Sequence, residues 1–168
     1  MDELKKLGGT PCVHLRRAPD APGCGIHTER PRICRAYACL WLSGALDDED
    51  RPDRLGAVLD LVSEAHGACL RVHEATPGAY ERSPRLQAVV ARYRASLPVR
   101  ISDAQRPLDP DAPVRELFPD GGERVVAGDH VTERPAGGFA RRRRLPWPLR
   151  LARRLRDRVR VFRLRGYR

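Results

Sequence analysis

Two apolar-rich runs, residues 55–62 (LGAVLDLV) and 68–74 (ACLRVHE), lie either side of Gly67 and read as an antiparallel pair of strands. Ser83-Pro84 then offers a helix cap and a first-turn proline. Behind it Leu86, Val89, Val90, Tyr93 and Leu97 recur at i, i+3, i+4, i+7 and i+11, the spacing of one buried helical face, until Pro98 stops the pattern. Val99-Arg100-Ile101 reads as a short strand, and residues 103–112 as a Pro/Asp-rich loop. Val114–Phe118 and Arg124–Val126 flank Pro119-Asp120-Gly121-Gly122, a hairpin turn.

The ends of the chain are patterned differently. Residues 1–43 are punctuated by Gly8, Gly9, Pro11, Pro19, Pro22, Gly23 and Gly25 and are expected to be irregular, apart from a helix starting at Pro31 and running through Ile33, Tyr37 and Leu40. Asp47-Asp48-Glu49-Asp50 lacks calcium-loop spacing and reads as a solvated acidic turn. Residues 128–148, rich in Gly, Pro and Arg, read as a linker. From Leu149 a helix is expected to end near Gly166, with Leu151, Leu155, Val159 and Phe162 on one face. The expected fold class is α+β. An irregular, metal-stapled cysteine-rich segment packs with short antiparallel strands and one or two helices in a domain over 1–127, followed by the linker and an Arg-rich tail helix over 149–168.

Composition changes this picture in one respect. The formal net charge of the 168 residues is +10, which on its face suggests a nucleic-acid partner. Residues 141–168, however, hold 13 arginines against the single acid Asp157, a net +12, which leaves −2 for residues 1–140. The question of an anionic partner, nucleic acid or a membrane surface, is therefore confined to residues 141–168. No run approaches the roughly 18 apolar residues a membrane span needs. MDELKKLGGT lacks the apolar core of a secretory signal, so a cytoplasmic location is expected, membrane-peripheral if the tail lies on lipid.

In a reducing compartment clustered cysteines point to metal or redox chemistry rather than to disulfides. Cys12, Cys24, Cys34 and Cys39 follow the spacing C-x11-C-x9-C-x4-C. Four thiolates satisfy either a tetrahedral zinc or the four iron corners of a [4Fe–4S] cluster. Both assemblies carry a net negative charge, which Arg16, Arg17, Arg30, Arg32 and Arg35 are placed to offset. Cys34 and Cys39, five residues apart, diverge by about 140° on a continuous helix, so sharing a metal requires the helix to end or distort near Cys39. His14 and His27 are alternative ligands or, like Arg32 and Arg35, neighbours of the metal-bound thiolates. The fifth cysteine, Cys69, lies inside a strand and reads as a buried, inert thiol.

The stretch GCGIHTERPRICRAYACLWL (residues 23–42) resembles the zinc- or iron-chelating cysteine-cluster family, the YkgJ-type CxxxCxxCC proteins. Gly23, Cys24, Ile26, Arg30, Pro31, Cys34, Arg35, Tyr37 and Cys39 match its second half, with His27 in the usual tyrosine position. Where the family carries further cysteines in its first half, including an adjacent pair, this chain has only Cys12, followed by Val13-His14. The resemblance covers roughly residues 8–62. It implies an iron–sulfur cluster or zinc and names no activity; taken with the flexible cysteine spacing, it favours an iron–sulfur cluster or iron, with zinc as the runner-up. No phosphate-binding glycine loop and no Ser-His-Asp signature stands out. The leading expectation is thus a metal-binding protein. The alternatives are an interaction protein with a structural zinc and a working tail, and an enzyme or redox carrier that uses the cluster chemically.

Overall fold

The computed structural model describes residues 14–16, 23–64, 67–106 and 109–155. A two-stranded ladder of β1 (Leu15–Arg16) and β2 (Gly23–Cys24) leads into the short helix α1 (Arg32–Ala36). A 3-10 turn (Asp48–Asp50) and α2 (Pro52–Leu55) deliver the chain to a seven-stranded sheet. Its strands are β3 (Ala57–Glu64), β4 (Gly67–Glu74), β5 (Val99–Asp103), β6 (Val114–Leu117), β7 (Glu123–Ala127), β8 (His130–Arg134) and β9 (Arg141–Arg144), ordered as they occur in the sequence. Every neighbouring pair is antiparallel except β4 and β5, which run parallel because α3 (Ala79–Arg82) and α4 (Pro84–Arg94) carry the chain back between them. The molecule is α+β, and the sheet rather than the cysteine-rich segment dominates it.

Alternation along the strands builds the core. Leu59 pairs with Val72 and Val72 with Ile101, while Leu70 pairs with Val99 and Val99 with Leu117, which puts all six on one face of the sheet. Leu86, Val89 and Val90 of α4 pack against that face. The helix forms where the pattern places it: the Ser83 hydroxyl accepts from Leu86 N at 3.1 Å, and Pro84 occupies the first turn. The carboxylate of buried Glu74, at the end of β4, accepts from Gly78 N and Tyr80 N and so satisfies backbone donors at the start of α3. Gly56, at φ +68°, closes α2 in a left-handed conformation, where a side chain would be strained and its Cβ would stand 3.3 Å from Ala79 Cβ.

The structure corrects three expectations. Residues 128–148 are not a linker, because they contain β8 and β9. Nor is the acidic turn wholly solvated. Asp50 is only 2% exposed and accepts from Arg85 Nε at 2.6 Å and Nη2 at 3.1 Å, an ion pair across 35 residues that local reading does not reveal. The helix begun at Pro31 stops at Ala36, with Tyr37 extended, rather than reaching Leu40. The C-terminal helix is present over 147–155, starting slightly before Leu149; Val159 and Phe162 lie outside the described residues. No helix among the described residues is long and apolar enough to cross a membrane.

Candidate metal centre

Each proposed ligand has a distinct setting. Cys24 ends β2, paired with Leu15, and is exposed; Gly25 N donates to His14 O at 2.7 Å, which fixes His14 beside it on the same hairpin. Cys34 sits half-buried on α1, and Cys34 N donates to Pro31 O at 3.0 Å as the helix opens. Cys39 lies beyond the end of α1 and is buried. Cys12 lies outside the described residues. Cys24, Cys34, Cys39 and Cys69 are all free thiols. Among the described residues no three His, Cys, Asp or Glu side chains stand together as a ligand set.

The remaining candidates sort by geometry. Arg30 Nη1 lies 3.1 Å from His27 Nε2. A guanidinium only donates, so this contact makes Nε2 the acceptor and occupies the lone pair a metal would need. His14, Arg32 and Arg35 are exposed, and the two arginines lie within α1 beside Cys34. Cys69 is 6% exposed in β4, its thiol within 3.5 Å of Leu70 O, as expected of an inert buried thiol.

The segment carrying these cysteines has little core of its own. No residue of α1 is buried, and β1 and β2 are two residues each. It is held by a strap around the edge of β3. Leu40 N donates to Leu59 O at 2.9 Å, and Leu40 and Leu46 enter the core on the helix side. Tyr37, by contrast, reaches the opposite face, where its hydroxyl donates to Asp60 Oδ1 at 2.7 Å. Partial burial, then the Asp60 carboxylate, push the Tyr37 hydroxyl well above the usual tyrosine range.

Asp60 belongs to a polar row that the linear sequence does not disclose. On the face away from α4, His73 Nε2 lies 3.9 Å from Asp60 Oδ2, and Ser102 Oγ lies 3.2 Å from His73 Nδ1. Register alone brings them together: His73 pairs with Ser102 across β4 and β5, and Asp60 is the diagonal neighbour on β3. Their outward positions in alternating strands were the available signal. The 3.9 Å gap exceeds hydrogen-bond reach, so the three do not form a proton relay. Burial pulls the His73 imidazole below its ordinary value, and Asp60 only partly opposes this. The Ser102 hydroxyl and His73 Nδ1 form a hydrogen bond whose direction follows the imidazole tautomer. The Tyr37–Asp60 hydrogen bond fastens the cysteine segment to β3, and the His73–Ser102 contact joins β4 to β5.

Compared with protein-family models, with curated proteins and with solved structures, the chain finds no match.

Proposed function

We propose that the chain is a metal-binding protein that holds an iron–sulfur cluster or iron, with zinc as the runner-up, through Cys12, Cys24, Cys34 and Cys39. The observation that carries the reading is the end of α1 at Ala36: Cys34 and Cys39 leave on separately oriented backbone, free of the helical divergence that would keep them from one metal. The donor chemistry supports it, since thiolates select zinc and iron–sulfur clusters over hard cations. Segment architecture supports it too, because α1, the helix described there, buries nothing and gains from a staple. The described cysteines are not drawn together, so binding closes the segment over 23–39 around the metal, and its free energy acts as folding free energy there. Arg32 and Arg35, exposed on α1, would offset the negative charge of the metal–thiolate group.

The ligand assignment is tested by four serine substitutions under anaerobic loading. Cys12→Ser, Cys24→Ser, Cys34→Ser and Cys39→Ser are each expected to lose bound metal, while Cys69→Ser retains it. Because Cys39 is buried, circular dichroism accompanies each measurement. A folded Cys34→Ser variant with full metal content refutes the four-cysteine set.

A further inference from the structure

The β7–β8 turn, Gly128-Asp129, is the meeting point of the arginines that follow the sheet. Leu145 N donates to Asp129 O at 2.8 Å as the chain leaves β9. The C-terminal helix then presents Arg150, Arg153 and Arg154, which share one face at i, i+3 and i+4 spacing. Arg153 donates to Gly128 O at 2.9 Å and to Pro110 O at 2.6 Å and so pins the helix against the turn. Between turn, strand and helix lies a cavity of about 480 Å³, lined by Arg144, Arg150, Arg153, Arg154, Asp129 and His130 among others.

Charge in this cavity is unbalanced. Four guanidinium groups face two carboxylates, those of Asp129 and Asp111. One oxygen, Asp129 Oδ2, is shared by Arg154 at 3.3 Å, Arg150 at 3.6 Å and Arg144 at 3.7 Å. Charge-assisted hydrogen bonds are normally about 2.7–2.9 Å, so the three cations are loosely satisfied. Among the described side chains, Arg150 Nε is the one buried polar atom with no hydrogen-bond partner. Leaving a buried donor unmade is costly, so the Arg150 guanidinium would gain from an acceptor that draws it into this positively charged cavity.

We propose that this cavity is a binding site for a small phosphate-bearing anion, held by Arg144, Arg150 and Arg154, with Arg153 positioning the helix. Arginine forks match phosphate oxygens in pairs, and several cations around one cavity favour a multiply charged phosphate over a single carboxylate. The volume falls in the range of small-molecule sites, about 300–1,000 Å³. The site is independent of the cysteines.

Calorimetric titration of the full chain with inorganic pyrophosphate at fixed ionic strength tests this. One saturable site is expected. The double substitution Arg150→Gln/Arg154→Gln is expected to weaken binding about tenfold or more, while Arg92→Gln, the same change of charge type on exposed α4, leaves it intact. Circular dichroism and retained metal content verify that the double variant is folded. Absence of saturable binding, or equal loss in Arg92→Gln, overturns the proposal. So does binding of a short RNA or of phosphatidylglycerol vesicles that depends on Arg150 and Arg154 but is not displaced by pyrophosphate.

Discussion

Asp50 shows how much a single residue contributes beyond its neighbours. Its carboxylate closes the 3-10 turn on Asp47 N at 3.3 Å and takes two hydrogen bonds from Arg85 on α4, joining the cysteine-bearing half of the chain to the core helix. Removing the cation strands a buried charge. Arg85→Ala is therefore expected to lower the midpoint of urea unfolding, by less than the loss of a fully buried pair because Arg85 is half exposed. The hydrogen bond from Arg85 holds Asp50 below its ordinary value of 3.8. A carboxyl lowered on folding contributes stability above that ordinary value and loses it as pH falls toward the folded one. Asp50→Asn should therefore flatten the acid limb of a stability–pH profile. His73 adds a second step. Its folded value is depressed, so the unfolded chain takes up the proton first, and stability declines as pH falls from about the ordinary value of 6.5. His73→Gln is expected to remove that decline; an unchanged profile between pH 7 and 5 contradicts it.

At the scale of elements, legibility followed the source of each element's stability. The strands over 57–64 and 67–74, α4 with its Ser83 cap, β5 and the β6–β7 hairpin were readable because alternation, helical spacing or turn chemistry marks them locally. β9 was not, because Arg141–Arg144 has no alternation to read; it is a strand only through its register with β8, reinforced by the Arg143–Glu133 ion pair at 3.1 Å. An all-arginine edge also discourages further strands from adding there. Truncation after Gly138 should consequently do more than remove a tail. It uncovers the β8 edge, and a lower melting temperature with increased light scattering is expected, with metal content retained. A truncated chain that melts like the intact protein would show that β9 adds nothing to the sheet.

Across the whole molecule, the separation of charge seen in the sequence becomes an internal contact. The acids Asp129 and Glu133 on the −2 body receive arginines of the +12 C-terminal stretch, so its described part is placed against the sheet. The candidate centre was legible in its ligand list but not in its setting. Spacing named Cys24, Cys34 and Cys39, whereas the strap around β3 and the Tyr37–Asp60 contact depend on tertiary register. The parallel β4–β5 crossover likewise depends on where α4 packs, which no local pattern states. The metal decides between these readings of the molecule. Protein purified anaerobically and assayed for iron, acid-labile sulfide and zinc, with its absorbance spectrum, is predicted to carry iron and sulfide in near-equal amounts with a broad visible absorption. One zinc per chain and no colour would select the runner-up. A chain that binds no metal under anaerobic or aerobic preparation contradicts the claim.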